Sequence, residues 1–313
     1  MQKQDKIILT GAAGLVGQNL IVQLKEKGYQ NLVAIDKHAY NLNSLKQLHP
    51  EVETILADLA ESGDWQNAFV EAACVVVLHA QITGKYAELF IRNNIKATEL
   101  VLEAIQKYQI PYIVHISSSV INSVADDDYT NTKKQQEEMI VQSGIKHCVL
   151  RPTLMFGWFD PKHLGWLSRF MEWVPIFPIP GDGRYMRQPL YNKDFCLMII
   201  DCIEKQPEGT IYDVVGNESV DYIDIIRTIK KVKQLKTWII HIPYWLFYAL
   251  LKIYAIFSRK PPFTAVQLKA LTAGDQFTGV NTEEVFEVKQ TSFEEAIRET
   301  FCDERYSKIV LKR

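Results

Sequence analysis

Apolar positions along the first 150 residues fall into two kinds of block that take turns. Short runs, long enough for one buried strand each, are Lys6-Ile7-Ile8-Leu9-Thr10, Leu32 to Ile35, Val52 to Ala57, Cys74 to Leu78, Tyr112 to Ile116 and His147 to Leu150. Between them the apolar residues space out at helical intervals. Val16, Leu20 and Leu24 share one face until Gly28, Ala68 to Glu71 closes a helix, and Ile91, Ile95, Leu102 and Ile105 predict one long amphipathic helix. A further helix is predicted over about Asp127 to Gln142, with Asp126, Asp127 and Asp128 suited to its N-terminal turn. Strands alternating with helices call for a parallel sheet covered on both faces, so the expected fold is α/β, a Rossmann-like doubly wound sheet.

The pattern changes after Leu150. Arg151-Pro152-Thr153 is expected to leave the sheet, proline and glycine become frequent through Gly183, and Pro175 to Pro180 and Pro261-Pro262 read as loop punctuation. The expected division is a dinucleotide-binding domain over 1–155, rejoined by about 188–215, and a smaller substrate lobe over 156–313 that closes over the site. Trp158, Trp166 and Trp173 are expected in the core of that lobe. Ile242 to Phe257 is apolar but short for a membrane span and interrupted by Lys252. It predicts a buried helix, the alternative being an interfacial helix against a membrane or an apolar substrate, with Arg259-Lys260 just beyond it.

Bulk numbers narrow the function classes. In 313 residues, 47% hydrophobic and 23% charged, the net charge of −2 leaves no basic surface for nucleic acid. Five cysteines without a C-x-x-C pair argue against a disulfide framework and for a reducing cytoplasm. The first strand begins at once, with no signal-peptide pattern, and the seven histidines show no metal spacing.

The chemistry concentrates in two places. After the first strand, Gly11-Ala12-Ala13-Gly14-Leu15-Val16-Gly17 supplies glycines for a tight turn, for close approach of a pyrophosphate and for helix–strand packing. The helix N-terminus that follows faces the anion, and Asp36, at the end of the second strand, is placed to hold a ribose. Its carboxylate argues for NAD over NADP, against which Lys37 and His38 weigh. The second place is Ser118, Tyr129 and Lys133. Tyr129 and Lys133 are one helical turn apart, so an ammonium can favour the phenolate, which then removes a hydroxyl proton while the serine hydrogen-bonds the reacting oxygen.

These motifs resemble those of an extended short-chain dehydrogenase/reductase of the NAD-dependent epimerase/dehydratase family. The likeness rests on Thr10 to Gly17, Asp36, Asp58-Leu59, Asn94 to Ala104, Ser117-Ser118, Tyr129-x-x-x-Lys133 and Leu150-Arg151-Pro152-Thr153 with Gly157, then Gly181-Asp182-Gly183, Arg187 and Asp194. The resemblance implies Ser118, Tyr129 and Lys133 as the catalytic set. It implies cofactor contacts from Gly11, Ala13, Gly14, Leu15, Val16, Gly17, Asp36, Asp58, Leu59 and Ala80, with Tyr129 and Lys133. It further implies a nucleotide-sugar substrate touched by Ser119 and Arg187, the latter on a diphosphate, and a homodimer. Three departures stand out: His79-Ala80-Gln81-Ile82 after the fourth strand, Ile121-Asn122-Ser123 after the serine, and only eleven positions from Ser118 to Tyr129, with Ser119 as an alternative hydroxyl. The Arg187 to Tyr191 stretch also resembles atypical members akin to the 39-kDa subunit of respiratory complex I. Two rivals therefore stand beside the nucleotide-sugar reading: a dehydrogenase or reductase of an apolar, sterol-like alcohol, and a nucleotide-binding subunit without turnover.

Overall fold

The computed structural model describes residues 1–123, 126–257, 268, 271–272 and 277–312. Arg259, Lys260, Pro261 and Pro262 lie outside the described residues. Six strands come first, β1 (Lys6–Thr10), β2 (Leu32–Asp36), β3 (Glu53–Leu56), β4 (Ala72–Val77), β5 (Tyr112–Ile116) and β6 (Lys146–Pro152). Short strands β7 (Met155–Phe156), β8 (Ile176–Pro180), β9 (Met186–Arg187) and β10 (Leu190–Tyr191) follow, then β11 (Thr210–Val214), β12 (Val220–Asp221) and β13 (Trp238–Ile242). A seven-stranded sheet has the order β11-β6-β5-β4-β1-β2-β3, and its strand pairs are all parallel. This is the doubly wound order, with the crossover at β1 and β4.

Burial on both faces explains why the central strands read as continuous apolar runs. Ile7 and Leu9 join Val76, Val114 and Leu150 on one face, while Ile8 joins Val33, Val75 and Ile113 on the other. Helices α1 (Leu15–Glu26) and α2 (Ala39–Leu48) come first in the chain, and Leu20 and Leu24 of α1 cover the first face. The second face is covered through Leu100, Val101 and Ile105, which follow α3 (Ala87–Phe90) and lie in α4 (Ala97–Lys107). Helices α5 (Asp128–Val141), α6 (His163–Trp173) and α7 (Asn192–Lys205) come next, and α7 packs along α1. A separate apolar core, including Phe156, Met171, Ile179, Ile226 and Ile297, is built by α6, α8 (Tyr222–Val232) and the helix Phe293–Cys302.

Several expectations are corrected. The helix expected over 91–105 is interrupted by a π-helical stretch, Ile91–Lys96. That wider turn puts Ile91 out in solvent and turns Asn94 fully inward. Arg151 and Pro152 do not leave the sheet, because β11 pairs alongside them through Asp213 and Val214. Residues 176–180 form a strand rather than a loop, paired in parallel with β13. A two-stranded sheet leaves each strand an unpaired edge, which accommodates Pro178 and Pro180. Trp158 is buried, but Trp173 is 85% exposed.

The largest correction concerns α9 (Tyr244–Phe257), for which the apolar run predicts burial. Trp245 is 70% and Ile253 is 53% exposed, and no residue from 243 to 255 is buried. An apolar run signals that a helix avoids water without indicating what covers it.

Helix α5, which carries Tyr129 and Lys133, is tied to β6 by one ion pair. Arg151 donates to Glu137 through both Nε and Nη2, and Glu137 is nearly fully buried. Arg151→Met is expected to lower unfolding free energy by about 3 kcal/mol in urea denaturation, because it strands a buried carboxylate. Adding Glu137→Leu is expected to recover most of that loss.

Candidate active site

The glycine turn is constrained from both sides. Gly11 has φ of +70°, and a Cβ there would lie 2.6 Å from the Cα of His79. A Cβ at Gly17 would lie 2.4 Å from the carbonyl oxygen of Ala12, so α1 can approach its strand only without a side chain. Gly14 differs, since a Cβ there would meet only the Gly11 carbonyl, at 3.3 Å. Helix α1 has neither a side-chain cap nor an acid in its first turn, so its first N–H groups and dipole remain available to an anion. Asp36 is fixed beside this turn, accepting from Ala13 N–H at 3.0 Å and from His38 N–H at 2.8 Å. Ala13 is itself buried and does not line the cavity; its N–H holds the carboxylate in place.

A cavity of about 520 Å³ runs from this turn across the carboxyl ends of the strands. Gly11, Gly14, Leu15, Val16 and Gly17 line it with Asp36, and further along so do Asp58, Leu59 and Ala80. The Asp58 carboxyl is held low: burial, which raises it, is outweighed by Arg92 at 2.6 Å, the Ala60 N–H and Lys37. Lys37 lies 3.8 Å from Asp58 and donates to Asn93, so its ammonium is engaged at Asp58 rather than at Asp36. A cradle that excludes a Cβ, an uncapped helix end and a fixed carboxylate together fit a dinucleotide with a free adenosine ribose.

At the other end, Ser118, Ser119 and Tyr129 line the same cavity. Asp127 caps α5 by accepting the Thr130 N–H at 2.8 Å, which sets the orientation of the helix. Burial raises the Tyr129 phenol, a hydrogen bond from Ser118 lowers it, and Asp127 raises it again. Ser118 is thus the serine whose side chain bears on the Tyr129 phenol.

Lys133 is not brought to the cavity wall. It is almost fully buried, and its Nζ donates to the Ile116 carbonyl at 3.0 Å and to Gln136 Oε1 at 2.5 Å. Burial lowers this ammonium to about 7, against a smaller raising effect from Glu137. Gln136 in turn donates to Thr98, and His79 bridges Thr10 at 2.8 Å and Thr98 at 3.0 Å. Burial, with Lys133 and Lys37, pushes His79 down to about 3, so it stays neutral and links β1 to α4. Arg187 also lies off the cavity wall, donating to the Leu271 carbonyl.

Some lining residues have no local signature in the sequence. Asn93, brought in by the π-helical stretch, donates at 2.7 Å to Gln81, the polar residue already marked as a departure after the fourth strand, while His163 and Phe277 arrive from distant segments. Asn94, within a motif, braces this wall from behind, accepting the Gln81 N–H at 2.6 Å and donating to Thr132 at 2.9 Å. Among the described residues, no three His, Cys, Asp or Glu side chains could hold a metal ion, and no helix is long and apolar enough to cross a membrane.

Two outcomes are expected. Gly14→Ala should keep the melting temperature within a few degrees while weakening NAD binding at least about ten-fold by calorimetry, whereas Gly11→Ala should damage both. Lys133 titrates near 10.5 when unfolded and near 7 when folded, so the unfolded chain binds the extra proton between those values. Stability should therefore rise as pH goes from about 7 to about 10, and urea denaturation of Lys133→Met should lack this rise.

The family model for the NAD dependent epimerase/dehydratase family matches residues 7–215. The chain is 23% identical over 217 residues to short-chain dehydrogenase/reductase family 42E member 1 of Macaca fascicularis, covering 58% of this chain and about half, 54%, of that protein. It is 22% identical to a decarboxylating sterol-4-alpha-carboxylate 3-dehydrogenase of Schizosaccharomyces pombe, covering 94% of this chain and 96% of the relative. In fold it matches the UDP-glucose 4-epimerase of Thermotoga maritima with TM-score 0.73 and 18% identity, over 94% and 97% of the two chains. The chain therefore belongs to the NAD dependent epimerase/dehydratase family, of the extended short-chain dehydrogenase/reductase type, and its cofactor is NAD.

Proposed function

We propose that the protein is an enzyme that oxidises a hydroxyl-bearing carbon of a nucleotide-linked sugar, as the first step of an epimerase or dehydratase cycle. The observation that carries this reading is the Ser118–Tyr129 pair on the wall of the cavity whose far end is the glycine turn. NAD held by the turn, Asp36 and the Asp58-Leu59 end supplies the hydride acceptor. Tyr129 takes the hydroxyl proton, and Ser118 hydrogen-bonds both the phenol and the reacting oxygen. Burial alone would hold the phenol protonated, so a base at neutral pH needs the Ser118 bond and nearby positive charge. The positive nicotinamide ring of NAD supplies this charge, joined by Lys133, one helical turn on, only in the fraction of molecules in which that lowered ammonium is protonated. Support for the sugar comes from the fold likeness to a UDP-glucose 4-epimerase.

A second reading is favoured by a specific observation. Leu154, Met155 and Phe277 line the cavity, while Arg187 is engaged with the Leu271 carbonyl. An apolar alcohol suits those walls, and one relative in the family is a sterol-carboxylate dehydrogenase.

The test is turnover of UDP-glucose and dTDP-glucose against a 3β-hydroxysterol, with wild-type protein and Tyr129→Phe. Sugar epimerisation or dehydration without net NADH release supports the first reading, and stoichiometric NADH with the sterol supports the second. Tyr129→Phe is expected to lower kcat about 10³-fold with NAD affinity unchanged. Equal rates for the two proteins would remove the proton-transfer role.

A further inference from the structure

The exposed apolar surface on the second half of the chain has a composition and charge that single out one occupant. Trp238 is 73% exposed, and Ile240, Tyr244, Trp245, Leu246, Tyr248, Leu250, Ile253 and Tyr254 are exposed with it, as are Trp173 and Ile176. Isolated exposed apolar residues are ordinary, but a helix with most of its described residues exposed, joined to an exposed strand, is not. The charge carried by the chain along this surface is mostly positive. From residue 225 to residue 257 the chain carries Arg227, Lys230, Lys231, Lys233, Lys236 and Lys252 and no Asp or Glu, in a protein whose net charge is −2. Asp224, Glu294 and Glu172 neutralise Arg227, Lys231 and Lys233. Lys236 and Lys252 are exposed beside Trp238 and within α9. A shallow depression lined by Arg227, Lys230 and Lys231 adjoins β13 at Ile239.

We propose that α9 and β13 form a monotopic membrane-docking surface for an anionic phospholipid bilayer. Helix α9 has 14 residues, about 21 Å at 1.5 Å per residue, against a hydrocarbon core of about 30 Å. It can therefore enter one leaflet but not span it. Its one tryptophan and its tyrosines, with Trp238 of β13, are the residues that settle at the headgroup level, and the lysines around them face the phosphates. Two copies of this chain docked through the same face would instead bring like charges together. The inference is independent of the substrate assigned above.

The experiment is flotation of the full chain with phosphatidylcholine vesicles and with vesicles containing phosphatidylserine. Variants are the pair Trp245→Glu and Ile253→Glu, and the pair Lys236→Glu and Lys252→Glu, all at exposed positions; circular dichroism and melting show that each is folded. Binding to the anionic vesicles, weakened by salt, is expected. The apolar pair should abolish it, and the charge pair should weaken it about ten-fold. No flotation of wild-type protein, or flotation indifferent to the Trp245 and Ile253 changes, overturns the proposal. So does a dimer in light scattering that those two changes dissolve without any vesicle binding, which would assign the face to a second copy.

Discussion

The site depends on one close approach of backbone to backbone. Gly11 turns with positive φ directly against the Cα of His79, at the point where the sheet order reverses between β1 and β4. That contact lets β1 end, α1 begin and the first N–H groups of α1 face open space instead of a side chain. His79 makes the approach permanent, since its ring is held by Thr10 on one nitrogen and Thr98 on the other. A neutral imidazole suits this position: a charged one would lie in a buried site already shared with the Lys133 ammonium.

The same polar layer governs the other end of the cavity. Thr98, Gln136 and Lys133 form a chain of hydrogen bonds from His79 to the Ile116 carbonyl. The segment that fastens the cofactor turn and the segment that carries Tyr129 are therefore one connected network. In a dry interior such networks hold a unique arrangement only when each member is satisfied. His115, nearby on β5, has neither ring nitrogen bonded among the described residues, and burial holds it well below its ordinary pKa.

Much of the sheet was legible because a strand buried on both faces is apolar throughout and the helices between show clear spacing. The glycine turn was legible because Gly11 and Gly17 are steric necessities. The exceptions have physical causes. The π-helical stretch at Ile91–Lys96 keeps a helical spacing in sequence while shifting which residues face inward. Residues 176–180 read as punctuation because prolines suit loops and unpaired strand edges equally. Spacing placed Lys133 one turn from Tyr129 but could not show that its ammonium bonds a carbonyl on β5. For α9, hydrophobicity recorded an avoidance of water and left the covering medium open.

The outermost strand has a consequence for how the chain acquires this shape. β11 completes the sheet beside β6, yet residues 153–209 separate them. During synthesis β6 emerges long before its neighbour, leaving a row of unpaired amide and carbonyl groups at the rim. Closing that gap is a contact of high sequence separation, entropically dear and slow compared with the local β–α–β units that precede it. The seven-stranded sheet therefore cannot reach its finished form until the ribosome has passed well into the remainder of the polypeptide.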